Sequence, residues 1–361
     1  MSIIRGIYMK KVMVALSGGV DSSVCAKLLK DKGYNIIGGT MELFDKNNSV
    51  FNNNSTNNSD YKDAKSIADK LNIDFYAFNC NEDFKKYVIL PFIESYENGG
   101  TPNPCLNCNK YLKFDLLIKK ALLLNCDYIA TGHYAQIEYK NSRYKLKKAK
   151  DLKKDQSYVL YSLTQEQLSH TLFPLGNLTK EEVKQIANDN EFITANKKES
   201  QDICFVPDGD YVSFIKRYTN KDYPIGNFID KNSNILGKHK GIINYTIGQR
   251  KGLGIALNKP MYVCDKNSIS NTVLLGDNID LFAKNVIIEK FNWLRIEKPN
   301  KQINAYAKIR YNMQEQPCTV YAIDDYNVKI IFDEPQRAVT KGQGAVLYDA
   351  QGYVLGGGII K

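Results

Sequence analysis

The sequence predicts an α/β fold in three parts: an N-terminal part on a parallel sheet, a small mixed central part, and a C-terminal antiparallel, β-barrel-like part. Three observations predict it. Strand-like and helix-spaced runs alternate from Val12 to Thr131, the pattern of helices crossing over a parallel sheet. The first strand-like run ends in the glycine turn Ser17-Gly18-Gly19-Val20-Asp21-Ser22-Ser23, which opens a helix-like stretch. After Cys204 the pattern changes to Gly, Pro and short alternating runs.

The elements follow in order. Val12–Leu16 reads as a strand and Ser22–Lys32 as a helix ended by Gly33. Asn35–Met41 is the next strand. Between Asn47 and Asn58, Asn and Ser dominate, and a mobile, non-catalytic loop is expected there. Asp60–Leu71 has helical spacing (Ala64, Ile67, Ala68, Leu71), Phe75–Asn79 is strand-like, Phe84–Glu97 and Phe114–Leu124 are helical, and Tyr128–Thr131 is a strand. Past Cys204, strand-like runs fall at Gly226–Ile229, Gly241–Ile247, Pro260–Asp265 and Thr272–Leu275. From Val286 onward, Ala305–Tyr311, Cys318–Ile323, Val328–Phe332, Ala345–Tyr348 and Val354–Ile360 suit an antiparallel barrel. The expected domains are residues 1–205, 206–280 and 281–361.

A strand, a glycine turn and a helix N-terminus together make an anion site. Glycines let backbone N–H groups approach a phosphate, and the helix dipole favours negative charge there. The loop is not a Walker A motif, because no Lys-Ser/Thr follows its last glycine. In a parallel sheet, ligands bind at the carboxyl ends of the strands, where this loop lies.

Composition sets outer bounds. The chain has 361 residues, 43% hydrophobic and 24% charged, as ordinary globular proteins do. Its net charge of +10 permits a polyanionic partner. No apolar run reaches membrane-spanning length, and the run after Lys10 and Lys11 leads straight into the glycine turn. A cytoplasmic protein without a signal peptide or membrane partner is expected, with a monomer as the default.

Eight cysteines in such a length are too few for a secreted disulfide scaffold. Cys25, Cys80, Cys126, Cys264 and Cys318 sit among apolar or mixed residues and read as small buried hydrophobes. Cys105 and Cys108 differ. They form a C-x-x-C pair in Thr101-Pro102-Asn103-Pro104-Cys105-Leu106-Asn107-Cys108-Asn109-Lys110, stiffened by two prolines and close to a lysine that would favour a thiolate. Alone, the pair could be redox-active or half of a metal site. Cys204, in Glu199-Ser200-Gln201-Asp202-Ile203-Cys204-Phe205, has no neighbouring His or Cys to complete a zinc site.

Together these segments resemble the tRNA-specific 2-thiouridylase (MnmA) family, within the PP-loop ATP pyrophosphatases. The resemblance covers nearly the whole chain. It rests on Ser17–Ser23, Thr101–Lys110, Ala130-Thr131-Gly132-His133-Tyr134, Lys154-Asp155-Gln156-Ser157-Tyr158, Glu199–Phe205 and Tyr245–Gly254. It implies a PP-loop, adenine nucleotide alpha hydrolase-like N-terminal domain, and an enzyme that uses ATP and Mg²⁺ to adenylate and 2-thiolate the wobble uridine of tRNA, the Lys, Glu and Gln species being expected. Ala15, Leu16, Ser17, Gly18, Gly19, Val20, Asp21 and Ser22, with Met41 and Gly132, match the family's nucleotide contacts, and Asp21 is a candidate magnesium ligand. Cys204 matches the persulfide carrier and Cys108 the paired nucleophile. Either Cys108 displaces sulfide from the persulfide or the persulfide sulfur attacks the base directly; thiol exchange permits both. The sulfur donor would be a cysteine desulfurase, a relay protein or free sulfide.

The chain departs from the family at Cys105, where many members carry Asp. Three thiolates could hold a [4Fe–4S] cluster with one open iron, so Cys105, Cys108 and Cys204 form a candidate sulfur-relaying cluster site. The family's tRNA contacts match Asn103, Pro104, Cys105, His133, Lys154, Asp155, Gln156, Arg310, Tyr311 and Gln343. Lys140 to Lys154 also holds eight basic residues against one acid, Asp151, which suits phosphate contacts. His170 and His239 read as surface or structural. Competing readings are another PP-loop ligase, with no need of Cys108 or Cys204, an RNA-binding protein with a dead site, and a redox protein using Cys105 and Cys108.

Overall fold

In the computed structural model of the protein, residues 9–44, 56–195, 197 and 203–361 are described. The chain divides into two compact units. The first comprises residues 1–84 and 108–201, the second residues 85–107 and 202–361.

The first unit is organised by a parallel sheet. Its strands are β1 (Lys11–Ala15), β2 (Asn35–Glu42), β3 (Phe75–Asn79), β4 (Tyr128–Ala130) and, after a hairpin of β5 (Ala135–Lys140) and β6 (Arg143–Lys148), the short β7 (Thr171–Leu172). The spatial order is β3-β2-β1-β4-β7. The chain therefore runs outward from β1 through β2 and β3, then crosses back to β4 on the other side of β1. That reversal between β1 and β4 is where doubly wound sheets open a crevice. Val12 and Val14 of β1 pack with Val24 and Ala26 of α1 (Val20–Asp31) and with Ala64 and Ile67 of α2 (Thr56–Lys70). β-Branched residues suit the strands, while the helices place their apolar residues at three- and four-residue spacing.

Several expectations shift here. The first helix starts at Val20, two residues early, because Gly19 serves as its N-cap residue. Helix α2 begins at Thr56, so the last residues of the expected Asn-rich loop are helical; Asn and Ser suit the polar first turn of a helix. The rest of that loop, residues 47–55, lies outside the described residues. The helix expected from Phe114 starts at Pro104, as segments Pro104–Asn107, Cys108–Leu116 and Leu117–Leu123 run on from one another. Asn103 and Pro104 explain it. The Asn103 carboxamide oxygen accepts from the Cys105 N–H at 3.1 Å, and proline needs no N–H at a first helical position. The hairpin of β5 and β6 is unanticipated, since its basic side chains hide the apolar alternation. Its turn places Asn141 and Ser142 at φ 56° and 57°.

The second unit holds two β systems. Strands β8 (Gly226–Ile229), β9 (Ile235–His239), β10 (Tyr262–Asn267) and β11 (Thr272–Gly276) form a sheet in the order β10-β11-β8-β9. Helix Tyr211–Thr219 precedes them, and Gly241–Ile247 carries a short 3₁₀ turn at Ile242–Asn244 instead of the expected strand. Strands β12 (Phe282–Trp293), β13 (Ile303–Lys308), β14 (Gln316–Ala322), β15 (Val328–Arg337), β16 (Gly344–Tyr348) and β17 (Val354–Ile360) close a barrel in the order β12-β15-β14-β13-β16-β17. Ile288, Val320, Ile330, Phe332 and Leu347 fill it. Closure removes exposed edges, so this barrel needs no covering layer. No helix among the described residues is long and apolar enough to cross a membrane.

Candidate active site

The glycine loop sits at the carboxyl end of β1. Leu16 N–H bonds to Gly39 O of β2 at 2.8 Å, which pins the strand's last turn. Gly18 adopts φ +70°, and a Cβ there would lie 2.5 Å from Asp60 O. Only glycine satisfies both conditions at low cost. Ser22 Oγ donates to Gly19 O at 2.9 Å and receives Ser17 N–H at 3.2 Å, folding the loop over the start of α1. Ser23 Oγ also reaches Gly19 O, at 3.0 Å, and lies 3.1 Å from Thr194 Oγ1.

The other residues matched to nucleotide contacts gather at the same end of the sheet. Ala15 is in register with Gly39, so Met41 stands two residues further along the neighbouring strand. Val14 is in register with Ala130 of β4, and Gly132 follows just beyond. A Cβ on Gly132 would meet Asp21 C at 2.8 Å and Ser22 N at 2.9 Å. Gly132 therefore lets the loop after β4 lie against the first turn of α1. Ser17–Ser22, Met41 and Gly132 thus all lie at the end of the sheet where the strand order reverses.

Asp21 is the loop's acid, and its surroundings are unexpected. Lys180 Nζ donates to its two oxygens at 2.7 and 2.9 Å, and Tyr134 Oη donates to Oδ1 at 2.8 Å. The Lys180 side chain is 4% exposed and that of Asp21 32%. Lys180 stands in the first turn of helix Lys180–Asp189, capped by Thr179 and Glu182. A cation is disfavoured at that helix end, so its ion pair with Asp21 outweighs the dipole. Lys197 braces the loop from elsewhere, donating to Gly18 O at 3.0 Å and to Asp60 and Asp63 at 2.7 Å each. Burial opposes the Lys197 charge, but the hydrogen bonds to Asp60 and Asp63 prevail and hold its pKa above the usual lysine value. Sequence reasoning missed both lysines. The Thr179-x-x-Glu182 capping box marked the helix start, but no local signal links Lys180 to an acid 159 positions away.

This arrangement bears on magnesium. Asp21 was expected to hold the ion, and its oxygens are taken by Lys180 and Tyr134. Among the described residues no group of three His, Cys, Asp or Glu side chains could hold a metal ion. With its oxygens engaged by Lys180 and Tyr134, Asp21 is no preformed magnesium site.

The residues matched to tRNA contacts divide. Gln156 Oε1 accepts from Tyr134 N–H at 3.0 Å, and Gln156 N–H donates to Tyr134 O at 2.8 Å. Gln156 thus steadies the tyrosine that holds Asp21. Asp155 is buried and accepts from Ala149 N–H, Ser157 N–H and Ser157 Oγ. His133 is also buried, 2.7 Å from Thr131 Oγ1 through Nδ1 and packed on Phe114 and Phe173. Burial, with Lys113 nearby, holds its pKa well below the ordinary imidazole value, so the ring is neutral. In the second unit, Arg310 donates to Ala338 O and to Thr340 Oγ1, the latter at 2.7 Å. Gln343 Nε2 donates to Thr101 O at 2.5 Å, and Lys308 Nζ lies 5.6 Å from the Tyr311 ring centroid. Among the basic residues near 140–154, Lys140, Lys150 and Lys153 are exposed, while Lys154 is partly buried.

The cysteines separate as expected. Cys25, Cys80, Cys126 and Cys318 are buried and Cys264 half-buried. Burial pushes the thiols of Cys80 and Cys264 up to about 11 and that of Cys318 to about 12. Cys105 and Cys204 are exposed and Cys108 partly so. Cys204 precedes Phe205, whose ring packs edge-on against Phe92 at 5.2 Å. Residues Glu199–Asp202 of its motif lie outside the described residues.

Comparison with known proteins agrees with this architecture. Residues 10–208 match the family described as the tRNA methyl transferase HUP domain, residues 212–277 its PRC-barrel domain, and residues 283–360 an aminomethyltransferase beta-barrel domain. The tRNA-specific 2-thiouridylase MnmA of Clostridioides difficile is 50% identical over 355 residues, covering 98% of each chain. Its counterpart from Halothermothrix orenii is 50% identical over 357 residues, 98% of this chain and 99% of the other. With a matching sequence along nearly its full length, and a glycine loop at the carboxyl end of β1 where its first motif placed it, this chain belongs to the tRNA-specific 2-thiouridylase (MnmA) family.

Proposed function

We propose that this chain is a tRNA-uridine 2-sulfurtransferase that spends ATP to replace the C2 oxygen of a wobble uridine by sulfur. One observation carries the reading above all: a glycine loop of PP-loop sequence lies at the sheet's reversal point, in a chain aligned end to end with 2-thiouridylases. A uridine C2 oxygen is a poor leaving group. Its attack on the α-phosphate of ATP expels pyrophosphate and turns the oxygen into part of a good leaving group, AMP. Loop N–H groups between Ser17 and Ser22 receive the pyrophosphate charge, with the dipole of α1 behind them. Met41 and Gly132 border the adenosine.

The Cys204 thiolate attacks the outer sulfur of a donor protein's persulfide, the donor leaves as its thiolate, and Cys204 carries the sulfur as a persulfide. The Cys108 thiolate attacks the Cys204 sulfur, expels hydrosulfide and forms a Cys108–Cys204 disulfide. Hydrosulfide then adds at C2 and AMP departs. An external thiol reduces the disulfide and resets the enzyme. The exposure of Cys204 and partial exposure of Cys108 support these roles, against the burial of most of the remaining thiols. The exposed lysines of the β5–β6 hairpin and the turn after it contribute phosphate contacts. The enzyme acts on tRNA as a soluble cytoplasmic monomer, supplied with sulfur by a desulfurase or relay protein, and divides into three domains near residues 205 and 280.

The test combines ATP, Mg²⁺, a persulfide-bearing sulfur donor with excess thiol, and unmodified tRNA bearing a wobble uridine, with mass spectrometry of the digested tRNA and AMP measured in the same tube. Thiouridine with stoichiometric AMP is the expected result. AMP without thiouridine would place the sulfur step elsewhere, including on a metal cluster. Bound tRNA with neither product would refute the enzyme reading.

A further inference from the structure

The segment before the C-x-x-C pair is gripped from two sides within the second unit. Lys266 of β10 is buried, at 7% exposure, and among the described residues no acid is bonded to its ammonium. Its Nζ donates instead to two backbone carbonyls, Gly100 O at 3.1 Å and Tyr245 O at 2.6 Å. From the barrel, Gln343 Nε2 donates to Thr101 O, and Thr101 N–H donates to Lys341 O at 2.9 Å. Arg310 fixes the turn that carries these groups through Ala338 O and Thr340 Oγ1. There is no slack: a Cβ on Gly100 would meet Ser95 Oγ at 2.6 Å and Lys341 O at 3.3 Å.

A buried ammonium is costly, and a methionine would fill the same space without that cost. Hydrogen bonds from a charged donor are short and about twice as strong as neutral ones, so they hold the two carbonyls in place. Burial pulls the Lys266 pKa down to about 8, partly offset by Asp265, so the group is still charged at neutral pH. Two residues beyond Thr101 begin Asn103, Pro104 and Cys105, the start of the helix that leads to Cys108.

We propose that Lys266 and Gln343 are positioning residues: they clamp Gly100–Thr101 and so fix the Asn103–Cys105 segment for sulfur transfer. The inference rests on the sulfurtransferase reading for the reaction it serves, while the clamp itself is independent of it.

The experiment uses the full chain with Lys266→Met, Gln343→Ala and, as a control, Lys341→Ala, which keeps the backbone carbonyl. Deuterium exchange of peptides spanning 98–105 reports the clamp; thiouridine kinetics and gel-shift affinity for tRNA report its use. Gln343→Ala is expected to speed exchange at Thr101 about fivefold, the loss of one hydrogen bond. Lys266→Met is expected to speed it more, and both are expected to lower kcat roughly tenfold or more, as a slightly misplaced reacting group does. The KM for tRNA and gel-shift affinity should stay unchanged, and Lys341→Ala should match the wild type. Unchanged exchange in both variants overturns the clamp. Faster exchange with unchanged kcat overturns the positioning role, as does weaker tRNA binding at unchanged kcat. Should Lys266→Met fail to fold, Gln343→Ala decides alone. A wild-type enzyme that makes no thiouridine defeats the sulfurtransferase reading and the positioning role with it, while the exchange data still judge the clamp.

Discussion

Removing the Asp21 carboxylate should destabilise the first unit more than removing the lysine that meets it. In Asp21→Asn the Lys180 ammonium stays buried beside the Tyr134 ring, its centroid 5.7 Å away, and loses the carboxylate that faces it. It also stays in the first turn of its helix, where the dipole repels it. Breaking a fully buried ion pair from one side costs about 3–5 kcal/mol. Asp21 is a third exposed, so water reaches the site and about 2–3 kcal/mol is the better figure. For a unit of this size each kcal/mol shifts Tm by about 2–4 °C, giving a fall of roughly 4–12 °C. In Lys180→Met the orphaned carboxylate is partly solvated and lies in the first turn of α1, where negative charge is favoured. Its cost should be about half as large. The double variant should recover much of the loss, because no lone buried charge remains. Circular dichroism melts of the four proteins would measure this, read on the transition belonging to the first unit. Additive losses, or a larger loss for Lys180→Met than for Asp21→Asn, would refute the argument. Asp21→Asn should also abolish AMP release.

Other outcomes follow from the same geometry. Cys204→Ser should eliminate thiouridine formation yet leave the tRNA gel shift intact; a collapse of binding would make Cys204 a structural residue. Gly18→Ala and Gly132→Ala should each weaken ATP binding by at least about tenfold in calorimetry, since each Cβ meets backbone at under 3 Å and the loop must move; undiminished affinity would remove the loop from the site. For Lys266 the sign runs as for a base with a depressed pKa. Between pH 8 and the ordinary lysine value of 10.5 the unfolded chain binds the proton and the folded one does not, so stability should rise across that window, by up to roughly 3 kcal/mol. Denaturant melts at pH 7.5 and 10 should show the rise in the wild type and lose it in Lys266→Met.

Local sequence was informative wherever one segment carries its own reason. Phe75–Asn79, Gly226–Ile229 and Val354–Ile360 are strands to the residue, because β-branched and aromatic or alternating runs end at clear breaks. The glycine loop was readable because its turn, acid and helix are contiguous. The helix start at Pro104 was written in Asn103-Pro104, yet the prolines read first as stiffeners of a loop. The β5–β6 hairpin was obscured because Lys and Arg fill its outward positions.

The sequence by itself determined the strand–loop–helix order, the glycine loop at the end of the first strand, the exposure classes of most of the cysteines and the family. Those properties depend on neighbours along the chain or on long ordered motifs. Only the tertiary structure decided who meets Asp21, that Gln156 braces Tyr134, and that Lys266 and Gln343 hold Gly100–Thr101. Each of these joins residues far apart in the chain, and a lysine or glutamine looks alike in sequence whether it faces water or a buried carbonyl. Folding alone selects the partner, by burying a charge that then has to be compensated.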